Sequence, residues 1–444
     1  MTDSFSGRSL RGAFVAVTSL FFMWGFITVL VDALIPRLKD VFELTFLQAG
    51  LVQFAWFAAY GVLSIPGGNL ISKIGYQRGI LVGLATAGLG CLLFYPAAAT
   101  RLYPLFLLAL FVVAGGITVL QVAANPYISV LGPEESASAR LNLSQAFNSF
   151  GTTIAPVVAA SFLLGDQILS GEAIDALADG ERQAYFAAEA SAVQVPFALL
   201  ALAFFLLAGV VGVIQLPKIL GHQNEGIRTS YAQVFQNRKL RFGALAIFVY
   251  VGAEVALGSY MVSYGLSLDI LEDIQSSEVL GAMAGVAAFI KGIDVSGLDA
   301  KGVLGALLTF YWGGAMLGRF AGSGLMGWVS PSRLLAAAGL CAVVLIGVSI
   351  SWSGVPALLS LLGVGFFNSI MFPTIFAIAI EDLGDDNPLG SGVLCTAIVG
   401  GAFVPLLFGA LVDTAGFGAA YSLPAICYGY IAWYAGRLVP SVRG

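Results

Sequence analysis

Apolar residues in this chain gather in unbroken runs of roughly the 20 positions a helix needs to cross a bilayer, divided by short polar breaks. The runs do not alternate apolar with polar, so they read as spanning helices and not as the strands of a barrel. The pattern predicts twelve helices, over 13–36, 47–71, 79–99, 102–131, 139–165, 193–216, 241–268, 303–327, 333–352, 354–380, 389–412 and 416–438. Prolines punctuate many of their ends, among them Pro36, Pro133, Pro217 and Pro331.

Composition strengthens this reading. Of 444 residues, 59% are hydrophobic and 10% charged, against about 25% charged in a soluble domain. Too few charges exist to build a water-facing surface, and the mean hydropathy of +0.92 agrees. The expected class is an all-α integral membrane protein whose partner is the lipid bilayer. No basic tract with interleaved aromatics suggests nucleic acid. Cys91, Cys341, Cys395 and Cys427 lie in separate apolar runs without metal-ligand spacing and read as small buried residues. The first run is followed by further spans and reads as a signal anchor, with no cleavable signal peptide expected.

Lys and Arg set the orientation. With both termini on one side, that side collects 14 of the 20 basic residues and the other side collects 6. Cytoplasmic termini follow. The longest inside linker, 217–240, divides the chain into an N-terminal six-helix bundle over 1–216 and a C-terminal one over 241–444. The outer segments 165–191 and 269–301 are long, polar and acidic. A faint repeat links the halves. "NPYISVLG" resembles "FPTIFAIAI", and the pairs Pro126/Pro373 and Pro156/Pro405 are offset by 247 and 249 residues. Parallel halves with a midplane site between them are a known transporter plan.

Polar residues inside such runs need a reason. Asp32, in "FFMWGFITVLVDALIP", and Glu254, in "FVYVGAEVALGSYM", cost several kcal/mol at depth unless paired or protonated. They read as titratable groups coupling transport to a cation. Asp32 also reads as an interfacial acid hydrated near its helix end, and Glu254 as a protonated acid held within the bundle. The stretch "LQVAANPYISVLGPEESASARLNLSQAFNSFG" adds Gln121 and Asn125, four apart, then Asn142, Gln145 and Asn148 at spacings of three. These spacings suggest two amide-rich helix faces sharing a wet cleft. Amides donate and accept at once, which suits a ligand covered in hydroxyls. Asn368 would be the second half's counterpart. Trp24, Trp56, Tyr60 and Trp312 are candidate stacking surfaces for a sugar ring. The competing reading makes the amides interhelical glue, worth about 0.6 kcal/mol each. The glycines read as close helix packing, and the lone His222 as a solvated linker residue. No catalytic constellation and no metal site stand out, so an enzyme is not expected.

At "FFMWGFITVLVDALIPRLKDVFEL", "LQVAANPYISVLGPE", "RLNLSQAFNSFGTTIAP", "YVGAEVALGS", "YWGGAMLGRFAGS", "FNSIMFPTIFAIAI" and "GSGVLCTAIVGGAFVPL" the chain resembles the major facilitator superfamily. More narrowly, it resembles the fucose–galactose–glucose symporter branch, and within it the bacterial glucose/galactose transporters. The resemblance covers nearly the whole chain. The loop between the second and third spans, "GGNLISKIGYQRG", departs from the superfamily's pattern, with Ser72 and Lys73 where many members place an aspartate. The resemblance implies two six-helix bundles and alternating access. It implies that Asp32 is the first-span acid linked to protons and sugar, and that Asn148 contacts sugar. Fucose permeases carry a Glu where this chain has Gln121, so Glu254 would supply the missing acid from the opposite bundle.

The expectation is a cation-coupled importer of a hexose of the glucose/galactose class, monomeric, in a bacterial inner membrane. The coupling ion would be a proton, with sodium as the alternative, and no other cofactor is expected. N-acetylglucosamine and fucose are alternative substrates. A multidrug efflux antiporter and a non-transporting sugar receptor are the rivals from other classes.

Overall fold

The computed structural model describes residues 7–42, 46–163, 176–214, 216–217, 230–268, 274, 278–291 and 300–438. Twelve helical passages cross it. They are α1 (Gly7–Phe42), α2 (Phe46–Ile74), α3 (Tyr76–Thr100), α4 (Tyr103–Val130), α5 (Ala137–Leu163) and α6 (Asp179–Val213). The second set is α7 (Arg238–Ser267), α8 (Ala300–Leu325), α9 (Pro331–Ser351), α10a (Val355–Asn368) with α10b (Met371–Ile380), α11a (Asn387–Thr396) with α11b (Gly400–Ala420), and α12 (Ser422–Trp433). Nine stretches of the described residues are long and apolar enough to cross a bilayer. An even number of passages leaves both chain ends on one side, here called the terminus side.

Local chemistry explains the boundaries. Proline occupies the first turn of α4, α9, α10a and α11a, where its missing N–H has no helical partner to lose. A capping box formed by Ser230 and Gln233 starts a short helix over Tyr231–Val234 ahead of α7. Gly416 takes φ 77°, a left-handed value open to glycine, and kinks the last turns of α11b. Elsewhere the helices depart from the sequence reading. α6 begins at Asp179, not 193, because "DGERQAYFAAEASA" is rich in good helix formers. A further helix, Glu278–Lys291, lies within the outer segment read as merely polar. The tenth and eleventh runs are each broken, α10 around Ser369–Ile370 and α11 by a tight turn over Ala397–Val399.

The break in α10 has an identifiable cause. Pro373 lacks the N–H that would close onto the Ser369 carbonyl, and its ring crowds that oxygen. Pro126 does the same to the Val122 carbonyl in α4, which stays helical through the proline. Both freed carbonyls find partners from other helices, described below.

Burial is inverted relative to a water-soluble protein. Val195, Leu406 and Val213 are exposed at 63%, 71% and 84%, while Asn125, Asn142 and Asn368 are fully buried. Such a skin suits lipid, where helices must satisfy their polar groups internally. α1 packs on α5, α2 on α4, and α3 on α4 and α6. α7 packs on α10b, α11b and α12, α8 on α10a, and α9 on α10a and α12. α3 and α4 approach so closely that a Cβ on Gly83 would sit 2.7 Å from the Leu120 nitrogen. The two groups meet through α2 with α11a, α5 with α8 and α10b, and α4 with α11a.

Candidate functional site

The polar centre is built from short side-chain pairs on neighbouring helices. In the first bundle, Gln121 Nε2 donates to the Tyr60 hydroxyl at 2.6 Å, tying α4 to α2. Gln145 Nε2 donates to Asn125 Oδ1 at 3.2 Å, tying α5 to α4. Asn125 Nδ2 is buried without a hydrogen-bond partner, so one amide donor there is unspent. The side chain of Asp32 lies outside the described residues, as does His222; Asp32 itself falls within α1.

The three amides of α5 do not share one face. Asn142 Nδ2 donates to the Ser138 carbonyl at 2.8 Å and to Thr374 Oγ1 of α10b at 3.0 Å. Gln145 turns to α4. Asn148 Nδ2 donates to the Phe21 carbonyl of α1 at 2.9 Å, opposite Gly25, which leaves room for it. The reason is rotational. Three residues advance a helix by 300°, so two such steps drift by roughly 120°. The spacing read as a shared face is a fan that touches three different helices.

In the second bundle the centre is Glu254 on α7. It is partly buried, and its Oε1 accepts from the Tyr250 hydroxyl at 2.7 Å. Asn368 Nδ2 donates to the Tyr311 hydroxyl at 2.6 Å, and that hydroxyl reaches the Glu254 backbone carbonyl at 3.4 Å. Arg319 and the hydroxyls of Tyr311 and Tyr428 lie within electrostatic reach of the Glu254 carboxyl. Asn368 Oδ1 and the Tyr428 hydroxyl are buried without a hydrogen-bond partner of good geometry. The cluster thus offers a carboxyl, several hydroxyls and an unspent acceptor at one place.

The candidate aromatics divide between the bundles. Trp24 is 6% exposed and rests against Phe21, with ring centroids 5.0 Å apart. Tyr60 is buried, and Trp56 is partly buried against the core. Trp312 is 46% exposed and meets Tyr311 edge-on at 5.0 Å.

Sequence reading missed several members of this centre. Arg319 is the first of them. Its Nε donates to the Ser369 carbonyl at 3.0 Å, the oxygen freed by Pro373, and its Nη1 donates to Ser149 Oγ of α5. The available signal was an arginine well inside an apolar run, which is functional by default. Tyr250 was missed too, although it precedes Glu254 by one helical turn. Ser391 of α11a donates to the Val122 carbonyl at 2.9 Å, the oxygen freed by Pro126.

The bonds between bundles favour the terminus side. Ser323 Oγ donates to the Ala139 carbonyl at 2.9 Å, and Thr153 Oγ1 approaches Met316 Sδ at 3.5 Å. The Tyr231 hydroxyl donates to the Ile65 carbonyl at 2.6 Å. Outside the membrane-spanning helices, burial pushes this phenol up to about 12, so it stays a neutral donor. At the terminus-side mouth a cavity of about 710 Å³ opens among Ser138, Lys239, Glu381, Asp382 and Asn387, away from the polar centre. Lys239 bridges Glu381 and Asp382 there, each at 2.8 Å.

Comparison with known proteins accords with this geometry. The chain is 44% identical over 433 residues to a glucose/galactose transporter of Brucella abortus, covering 98% of this chain and 95% of that one. It is 34% identical over 440 residues to the L-fucose-proton symporter of Escherichia coli K12, covering 98% and 94%. The crystal structure of the major facilitator transporter FucP in the outward conformation superimposes with a TM-score of 0.85 at 33% identity, over 96% of this chain and 98% of that one. The sequence pattern of the Major Facilitator Superfamily matches residues 13–397. The chain belongs to the major facilitator superfamily, within its fucose–galactose–glucose branch.

Proposed function

We propose that this multi-pass membrane protein imports a hexose of the glucose/galactose class by proton symport, through alternating access of its two bundles. The observation that carries the reading is the pairing of hydroxyl-friendly amides in one bundle with the half-buried carboxyl of Glu254 in the other. Gln121, Asn125, Gln145 and Asn368 provide donors and acceptors suited to sugar hydroxyls, two of them with unspent atoms. Asn148 ties α1, the helix that carries Trp24 and Asp32, to α5. Trp24, Trp56, Tyr60 and Trp312 supply apolar surface for the ring. Relatives named as glucose/galactose transporters and as an L-fucose-proton symporter support the substrate class and the ion.

Asp32 and Glu254 are the coupling groups in this reading. A carboxyl carries a proton with no further ligands, whereas sodium wants several oxygens around it. Tyr250, a single phenol at Glu254 Oε1, suits a proton better than a hard cation. The excess of basic residues on one side supports cytoplasmic termini, and bacterial relatives support an inner membrane. The bundles are then closed on the cytoplasmic side and the protein faces outward. A proton driven by 100 mV gains about 2.3 kcal/mol, enough for roughly fortyfold accumulation.

Purified protein in liposomes tests this. Glucose and galactose uptake should rise with an inward proton gradient and respond little to sodium alone. Uptake that follows sodium and ignores protons would move the coupling to sodium. Ligand binding without flux would make the chain a receptor.

A further inference from the structure

Arg319 makes one choice visible in the structure. It is a cation held by two neutral partners, while a carboxyl within its electrostatic reach is held by a phenol. Nε takes the Ser369 carbonyl at 3.0 Å, and Nη1 takes Ser149 Oγ across the bundle boundary. Glu254 takes the Tyr250 hydroxyl at 2.7 Å. No ion pair joins Arg319 to Glu254 among the described residues, although the guanidinium lies within electrostatic reach of the carboxyl. A cation near an unpaired carboxyl is stable in this arrangement while that carboxyl is neutral.

We propose that Arg319 is the positioning residue that links the proton on Glu254 to closure of the terminus side. It alternates between Ser149 of the opposite bundle and the carboxylate of its own. This rests on the reading of Glu254 as a proton-carrying group.

The groups facing Glu254 can be named. Tyr250 comes from its own helix, Tyr311 and Arg319 from α8, and Tyr428 from α12. α10a brings Asn368, which does not titrate. α10b and α11a carry no charged residue, and the acid of α11b, Asp413, is exposed. Among the described residues, Arg319 is therefore the one cation whose approach can favour ionised Glu254.

The sequence of events follows from that placement. With Glu254 protonated, Arg319 stays on Ser149 and the Ser369 carbonyl, and the bundles remain closed at the terminus side. When the bundles rock open there, Ser149 withdraws and Arg319 loses a partner. The guanidinium then turns to Glu254. The carboxyl O–H bond breaks, its proton passes to water in the opened vestibule, and the carboxylate pairs with the guanidinium, which keeps its own protons. By linkage, ionised Glu254 favours the terminus-open form and protonated Glu254 the closed one. An unloaded, protonated carrier is thereby discouraged from leaking its proton.

The Ser369 carbonyl makes the swing feasible. It is free only because Pro373 cannot bond it, so it can hold or release Arg319 without unwinding a helical turn.

Spin labels at Glu135→Cys and Trp328→Cys, exposed and on opposite bundles, report opening of the terminus side by pulsed electron resonance. The four native cysteines are first replaced by alanine. In liposomes without sugar, the distance distribution should lengthen as pH rises through the Glu254 titration. E254Q should stay short at every pH. R319Q should lose the pH dependence. S149A should raise the open fraction by about fivefold at low pH, yet keep the dependence. A wild-type pH response in R319Q overturns the proposal. Should R319Q fail to fold, S149A decides: a wild-type open fraction overturns it as well. Glucose and galactose counterflow is measured on the same preparation. Absent counterflow with the pH response intact would sink the sugar reading and leave the switch standing.

Discussion

Asn368 and Tyr311 form a 2.6 Å hydrogen bond that ties the broken tenth passage to α8, beside the only carboxyl of the polar centre whose side chain is described. The Asn368 carbonyl oxygen on the other side of the same amide is unspent. One residue thus holds the cluster together with its donor and leaves its buried acceptor unpaired. Asn368→Ala should weaken sugar binding about tenfold or more, because a buried donor–acceptor site loses both functions. Tyr311→Phe should instead leave the Asn368 donor stranded and lower stability by about 1–3 kcal/mol. Calorimetric sugar titration and thermal unfolding in detergent separate the two effects. Unchanged affinity in Asn368→Ala would remove this residue from the sugar site.

Asn148→Ala tests a different kind of contribution. Its amide holds α1 to α5 through the Phe21 carbonyl, with Gly25 making room. Truncation should cost about 1 kcal/mol of stability and also reduce sugar affinity, since α1 carries Trp24 and Asp32. A lower unfolding temperature with wild-type affinity would assign the amide to helix packing alone.

Asp32→Asn should abolish accumulation of sugar against a gradient while exchange across the membrane persists at a reduced rate. The measurement is uptake in liposomes with and without a proton gradient, beside counterflow. Accumulation at the wild-type level would leave Glu254 as the sole coupling group.

The sequence made the passages legible because lipid demands long apolar runs. It made the presence of polar groups at depth legible for the same reason. Their partners were not legible. Gln121 and Asn125 share a face of α4 yet bond to α2 and α5 respectively. Asn142, Gln145 and Asn148 rotate away from one another along α5. Spacing reports direction relative to one helix axis; which neighbour stands in that direction is fixed by tertiary packing. The break in α10 was within reach, since Pro373 sits inside the run. What it does could not be read, because the freed carbonyl is claimed by an arginine 50 residues earlier in the chain.

Pro126 and Ser391 supply the last prediction. Pro126 frees the Val122 carbonyl inside α4, and Ser391 of the opposite bundle occupies it at 2.9 Å. The contact belongs to the closed terminus side and must break when that side opens. Ser391→Ala should therefore strand the carbonyl only in the closed form and shift the balance toward the open one. A net worth of about 1 kcal/mol corresponds to roughly a fivefold shift. Pro126→Ala would restore the N–H, let α4 satisfy Val122 internally, and make Ser391 dispensable. A double-mutant cycle on the open fraction, read by the same spin-label pair, should show coupling of about 0.5–1 kcal/mol between the two positions. Additive effects would mean that the proline and the serine act independently, and that the carbonyl between them does not help to close the bundles.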